Sequence, residues 1–325
     1  MVGGLFWGRL AKDPGIAVTS VATVTDTLTP TRGPVRALVS AMRPTQWVKN
    51  LLIGVAPAAA GMVGDADVER HTVAAFLCFC ALASAVYLVN DVRDIEADRR
   101  HPTKRHRAIP AGQVSVGLAL SAAGVLAAIA FILPAFLWHP GGLYFILGLY
   151  LVNSLSYSLW LKNSVIIELG IVANGFFLRA YAGAVASHIF VSTWFLVVIS
   201  FGALFLVIGK RSSELKKIGA GATRPVLAQY TPEFLHSALT MSATVVVTSY
   251  NLWAFDTSAT GLSSIRHHIV PIRLTIVPVV FAVLFIMRSA EAGEGQSPED
   301  LLLHNRVVQL LGVIWAGLLA LGIYG

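Results

Sequence analysis

Asp91, Asp94 and Asp98 follow one another at spacings of three and four in the run Tyr87-Leu88-Val89-Asn90-Asp91-Val92-Arg93-Asp94-Ile95-Glu96-Ala97-Asp98. On a continuous α-helix, at ~100° per residue, Asp94 falls ~60° from Asp91 and Asp98 only ~20° from it. The three then share one stripe, with Tyr87 a turn earlier on the same face. Like charges this close repel one another unless a cation lies between them. Oxygen-only ligands at such spacing suit Mg²⁺, which keeps several waters and is usually completed by substrate phosphates. The pattern therefore predicts an enzyme that handles a diphosphate, with Asp91, Asp94 and Asp98 as metal ligands, Asn90 in support and Tyr87 facing the donor.

A basic run follows directly: His101-Pro102-Thr103-Lys104-Arg105-His106-Arg107-Ala108-Ile109-Pro110. Alone, such a run is most simply a membrane-surface anchor. Beside an acidic metal site it gains the meaning of a phosphate clamp, because Arg offers a planar fork of donors and Lys a point charge. Lys104, Arg105 and Arg107 are the candidates. Lys49, Lys162, Lys210 and Arg211 stand at the ends of other apolar stretches, where they can meet a phosphate at the same surface. No Ser/His/Asp triad and no His/Cys zinc spacing is evident.

The elements that position these residues are membrane spans. Of the 325 residues, 56% are hydrophobic and only 13% charged, with a mean hydropathy of +0.71. A helix needs about 20 apolar residues to cross a bilayer. Nine segments qualify as candidates: 47–64, 73–92, 115–136, 141–160, 165–187, 192–209, 238–256, 269–288 and 306–324. The first is short and interrupted by Pro57. Because lipid forces each span to satisfy its own backbone, an all-α helical bundle is expected. Residues 1–36, Thr-rich and broken by Pro14, Pro30 and Pro34, form a predicted cytoplasmic tail without a signal-peptide core, and 37–325 a single integral membrane domain.

Orientation follows from the basic residues. With the N-terminus inside, 20 of the 24 Lys and Arg fall on inner segments, three (Arg70, Arg266, Arg273) on outer loops and one (Arg179) within a span. This places the Asp run in the cytoplasm. The net charge of +7 reflects that topology signal and a preference for anionic lipid or substrate. Nucleic acid is not an expected partner, since the basic residues are divided among short loops. Cys78 and Cys80, two apart on one helix, cannot bridge each other. Three inner connections, near 91–114, 210–235 and 289–305, carry most of the polar residues, so chemistry is expected there. The fifth span is unusually polar. Its Glu168 and Arg179 stand ~16 Å apart along the axis at ~1.5 Å per residue, so each must find a partner on another span or line a cavity; a structural role is expected for Arg179.

The Asn90–Gly112 segment resembles the first Asp-rich motif of the UbiA superfamily of intramembrane prenyltransferases. Arg43-Pro44-Thr45-Gln46-Trp47-Val48-Lys49-Asn50 and Gly209-Lys210-Arg211-Ser212-Ser213-Glu214-Leu215 are more specifically similar to members that transfer phosphoribose rather than a prenyl group. The resemblance extends from about Arg43 onward and implies a nine-span bundle in the plasma membrane. It also implies a cytoplasmic active site with Mg²⁺ as cofactor. Its implied substrates are 5-phosphoribosyl 1-diphosphate and a polyprenyl phosphate such as decaprenyl phosphate, on the route to cell-wall arabinan. Asp91, Asp94, Asp98 and Lys210 form the implied catalytic set. Where most members carry a second acidic motif, this chain has Lys210, Arg211 and a single acid, Glu214, which leaves one metal site with Glu214 assisting. Two other readings are a prenyltransferase using a prenyl diphosphate donor and a lipid transporter or flippase.

Overall fold

The computed structural model describes residues 33–137, 139–218, 225–256, 269–293 and 305–325. Residues 1–32 of the expected tail, and Glu294, Glu299 and Asp300 of the third connection, lie outside the described residues. A short helix, α1 (Pro34–Ala41), leads into a 3-10 segment (Pro44–Gly54) that continues as α2 (Val55–Ala59). The long α3 (Ala66–Arg93) is followed by α4 (Ile95–Arg100), α5 (Val116–Ile132) and α6 (Gly141–Leu159). Then come α7 (Ile167–Ala186), α8 (Thr193–Ile218) and α9 (Pro232–Phe255). The bundle closes with α10 (Ile269–Leu274), α11 (Ile276–Ala292) and α12 (Arg306–Tyr324). Every described element is helical, as the composition predicts, and the chain is a multi-pass integral membrane protein.

Seven of these segments are long and apolar enough to cross a membrane. The other two of the nine expected differ in instructive ways. α9 is 24 residues long, ~36 Å at the helical rise, but carries more Ser and Thr. Its Ser242 and Ser249 hydroxyls fold back onto carbonyls of their own helix, which hides them from lipid. The segment expected at 47–64 is not a regular α-helix. It opens in the 11-residue 3-10 helix Pro44–Gly54, a geometry that rises ~2 Å per residue, so residues 44–59 still reach close to the ~30 Å of a bilayer core.

Two helices form the centre. The most apolar windows of α3 and α7 are 61% and 56% buried inside the bundle, against 17% for α5. Both owe this to small residues: Ala74, Ala75, Ala81, Ala83 and Ala85 on α3, and Ala180, Ala182, Gly183, Ala184 and Ala186 on α7. Lipid tails compete equally for large apolar side chains, so close backbone approach through small residues is what associates helices in a membrane. Around this centre, Phe79 and Leu82 of α3 pack with Leu143 and Leu147 of α6, while Ile208, Leu235 and Leu239 join α8 to α9. At the opposite end from the Asp run, the Trp315 indole donates to the Tyr250 hydroxyl at 2.7 Å, and that hydroxyl meets Thr275 at 2.7 Å. These bonds tie α9, the α10–α11 junction and α12 together.

Gly183 is where the 3-10 segment lies hardest against α7, since a methyl there would run into the Ile53 carbonyl oxygen. Gly183→Ala must push the segment outward, and overpacking of this kind costs roughly 1–3 kcal/mol. A lowered thermal midpoint in detergent is expected. Gly170→Ala, on the same helix with open space at its Cβ, is expected to leave the midpoint unchanged or slightly raised.

Candidate active site

Six elements, the 3-10 segment, α3, α4, α6, α7 and α8, come together around a cavity of about 650 Å³ at one end of the bundle. α3 is 28 residues long, ~42 Å, and therefore overshoots the hydrocarbon core, so its last turns stand at the water boundary. Here the expected continuous helix is interrupted. Asp94 leaves helical geometry (φ −92°, ψ 12°) and serves as the hinge between α3 and α4. The bridge region it occupies is sparsely allowed and recurs at active sites.

The break redistributes the three carboxylates. Asp91, 2% exposed, turns into the protein, where Arg43 pairs with it and Arg107 Nη1 lies 3.3 Å from the same oxygen. Asp98 accepts from Arg107 Nη1 at 2.7 Å and has Lys104 Nζ at 3.9 Å. Asp94, 26% exposed at its side chain, accepts from Lys162 Nζ at 3.1 and 3.2 Å. Among the described residues no three His, Cys, Asp or Glu side chains come together as a metal cluster. The single three-carboxylate grip expected from an unbroken helix is therefore replaced by a web of acid–base pairs. Asp94, Asp98 and Asn90 line the cavity; Asp91 does not.

Each partner is itself held. Arg43, at the start of the 3-10 segment, takes a left-handed backbone (φ 56°, ψ 61°), a conformation that costs a non-glycine residue ~1–3 kcal/mol and persists only where the surroundings enforce it. The enforcement is visible. Its guanidinium meets Asp91 and stacks 4.9 Å from the Tyr87 ring. The neighbouring Trp47 indole donates to the Ser84 hydroxyl at 3.0 Å, and that hydroxyl donates to the Met42 carbonyl at 3.1 Å. Lys162 follows the end of α6, which Arg93 caps by donating to the Ser158 and Leu159 carbonyls.

On the opposite wall Glu168, fully buried at the start of α7, accepts two parallel bonds from Arg211, Nε at 2.7 Å and Nη2 at 2.8 Å. The remaining side of Arg211 donates to Glu214 at 2.8 Å. The expected phosphate ligand Arg211 is thus already committed to two carboxylates. Glu214 serves that pair and is not on the cavity wall. Tyr230 completes the group: its hydroxyl accepts from the Ile166 amide at 3.0 Å and lies 3.4 Å from Glu168. Burial pushes the Tyr230 phenol above its ordinary value, so it keeps its proton at neutral pH and donates to the carboxylate.

Of the expected residues, Lys49, Tyr87, Asn90, Asp94, Asp98, Lys104, Arg107, Lys162, Lys210 and Arg211 reach the cavity, whereas Asp91, Arg105 and Glu214 do not. Arg105 is exposed, its Nε 3.2 Å from His106. The cavity also takes in residues that motif spacing did not single out: Arg43, Asn153, Tyr157 and Arg179. The detectable signal for Arg43 is its place, a basic residue before Pro44 at the start of a span. For Arg179 the signal is a charge within an apolar span, which must find partners or line a cavity; it does both, and the sequence does not say with which residues.

The basic lining is Arg43 and Lys49 from the 3-10 segment, Lys104 and Arg107 after α4, and Lys162 after α6. Arg179 from α7, with Lys210 and Arg211 from α8, completes it. Against these eight stand two lining acids, Asp94 and Asp98. Counting also the pairing acids behind the wall, Asp91, Glu168 and Glu214, positive charge remains in excess by three. Such a cavity is built for a ligand with several negative charges. The acidic edge fits a divalent ion on donor chemistry: two carboxylates and an amide supply oxygen ligands, and the set is too small to close a site unaided. One or two carboxylates completed by substrate phosphates is the usual Mg²⁺ arrangement.

A helical membrane bundle with a polyanion cavity at one end defines a class of intramembrane transferase. The UbiA prenyltransferase family model matches residues 51–288, and the chain belongs to that family. It is similar to the decaprenyl-phosphate phosphoribosyltransferase of Mycolicibacterium smegmatis, 40% identical over 308 residues that cover 91% of this chain and 96% of the relative. The enzyme of the same name from Corynebacterium glutamicum is also 40% identical, covering 88% and 86%. Among solved structures, a UbiA homolog from Archaeoglobus fulgidus bound to DMAPP and Mg²⁺ superposes with a TM-score of 0.63 at 19% identity, covering 89% of this chain and 97% of that one. The protein is a membrane-embedded enzyme of the transferase class.

Removing one partner of a buried ion pair leaves an uncompensated charge, at ~3–5 kcal/mol. Glu168→Leu is expected to lower the thermal midpoint strongly, and adding Arg211→Met to regain most of the loss. If the single variant melts with the wild type, the pair is not what joins α7 to α8.

Proposed function

We propose that this enzyme transfers the 5-phosphoribosyl group of 5-phosphoribosyl 1-diphosphate to a polyprenyl phosphate, decaprenyl phosphate in the first instance, and releases diphosphate. The observation that carries the reading is the charge balance of the cavity, eight basic side chains against two acidic ones, in a chain 40% identical to enzymes named for this transfer. The product would feed cell-wall arabinan synthesis. The excess of Lys and Arg on inner segments supports a plasma-membrane location with the cavity open to the cytoplasm.

The reaction joins two anions, a lipid phosphate and a sugar that carries both a diphosphate and a 5-phosphate. Their mutual repulsion is a large part of the barrier. A phosphate monoester has its second pKa near ~6, so the nucleophilic oxygen is already ionised. It attacks the anomeric carbon opposite the leaving group, the C–O bond to diphosphate breaks with its electron pair, and the carbon inverts. No general base is required. What the protein supplies is positive charge fixed in place before the substrates arrive, which needs no reorganisation at the moment of reaction. Asp94 and Asp98, with Asn90, would hold Mg²⁺, which neutralises the departing diphosphate when bound. The Mg²⁺ in the Archaeoglobus fulgidus homolog supports that choice of ion.

Lys162, Lys104 and Arg107, each beside one of those carboxylates, orient them and face the donor phosphates, and Lys210 approaches from the other wall. Asp91 acts as a positioning residue by holding Arg43 and Arg107.

The test uses purified protein in detergent with polyprenyl phosphate, radiolabelled donor and Mg²⁺. Labelled lipid and free diphosphate are expected. Turnover only with a prenyl diphosphate and an aromatic acceptor would assign prenyl transfer instead, and lipid passage across liposomes without turnover would assign transport. Asp94→Asn is expected to lower kcat by about a hundredfold or more with an unchanged thermal midpoint. Near-normal turnover in that variant would remove Asp94 from the metal edge.

A further inference from the structure

Deep in the cavity, remote from the Asp edge, lies a cation that the proposed reaction has not used. Arg179 is 7% exposed and lines the cavity. It sits eleven residues beyond Glu168 on α7, ~16 Å further into the membrane, and its side chain reaches back one turn. Its Nε donates to Asn50 Oδ1 at 2.8 Å, Nη1 to the Gly175 carbonyl at 2.6 Å and Nη2 to the Tyr150 hydroxyl at 2.7 Å. Asn50 is braced in turn against Cys80 Sγ at 3.2 Å, well up α3 from Asp94.

All three acceptors are neutral, and among the described residues no carboxylate pairs with Arg179. That sets it apart from Arg43, Arg107, Lys162 and Arg211, each of which holds an acid. A guanidinium has five N–H donors; three are used here and two remain. Stacking on Tyr150 at 4.7 Å and on Phe176 at 5.9 Å offsets part of the charge. The same Phe176 ring has a second cation over it, Lys49 Nζ at 5.8 Å. Two cations flanking one ring at this depth, with no acid on Arg179, is an arrangement that lipid and protein interiors both oppose. Packing alone does not call for a charge there, because the neighbouring turns of α7 pack through uncharged residues, Gly175, Leu178, Ala182 and Gly183.

We infer that Arg179, seconded by Lys49, forms a phosphate-monoester subsite at the deep end of the cavity, distinct from the Asp94–Asp98 edge. The planar fork and the leftover N–H pair match a phosphate's oxygens. The inference rests on the proposed reaction only for the identity of the ligand, since both substrates of that reaction carry a phosphate monoester: the donor at its 5-position and the lipid at its head.

The sources are separated by comparing ribose 5-phosphate and a short-chain isoprenyl phosphate as probes. The wild type, Arg179→Gln and Arg179→Lys are titrated with each probe by thermal shift in detergent, alongside KM for each full substrate. The expected result is a fall of about tenfold or more in affinity for one probe in the Gln variant, the order of one charge-assisted bond. The matching KM should rise, the other probe should change less than twofold, and Lys should restore part of the loss. Because Lys keeps a charge in the bundle, it tests the subsite even where the Gln variant fails to fold. Unchanged affinity for both probes in a folded variant, or an equal loss for both, would overturn the inference. Thermal shift needs no turnover, so a wild type that binds a probe through Arg179 yet makes no labelled lipid would sink the proposed reaction and leave the subsite standing. Turnover with binding indifferent to Arg179 would do the reverse.

Discussion

A charge beside lipid must find a partner or lose several kcal/mol to desolvation, and one buried carboxylate shows how the cavity end of this bundle is built on that constraint. Asp91, almost wholly out of water, draws Arg43 and Arg107 onto itself. Arg43 comes from the start of the 3-10 segment, 48 residues before Asp91, and Arg107 from the loop after α4, 16 residues beyond it, so a single acid joins three stretches of chain. It also pins Arg43 in a backbone conformation that would not persist unaided. Glu168 performs the same service on the opposite wall, joining α7 to α8 through Arg211. The acids that hold the cavity together therefore sit mostly behind it, and the cations they fix form its surface.

That arrangement suits transfer between two anions. Cations tethered at both ends present a positive field that is in place before any ligand enters, which is where an electrostatic site gains over water. The pairs also limit the repulsion within a cavity lined by eight basic residues, because five acids lie on or behind its wall. The exterior follows a simpler rule. α5 and α12 present Val, Leu and Ile to lipid, while α3 and α7 bury small residues and bring the polar ends into register. Small-residue packing at the centre and charge pairing at the end are thus complementary: the first sets how closely helices approach, the second how they are aligned.

The helical class and the positions of most spans are legible along the chain, because both depend on local runs of apolar residues. The Asp run is legible too, as are Lys104, Arg107, Lys162 and Lys210, since their spacing places them at span ends. Three features are not legible. The helix breaks at Asp94, so the shared stripe computed for a continuous helix dissolves and Asp91 turns inward. Arg211, a phosphate ligand by its place in the motif, is consumed by Glu168, a residue 43 positions away. Arg179 joins the cavity because Asn50 and Tyr150 lie across from it.

What the residues determine by themselves is chemistry that periodicity and charge can carry: a membrane bundle with acids and bases gathered at one face. What the tertiary structure alone decides is which acid meets which base. Pairing depends on distances between helices, and those are set by side-chain volume at crossings such as Gly183 against Ile53, a quantity that no local pattern encodes.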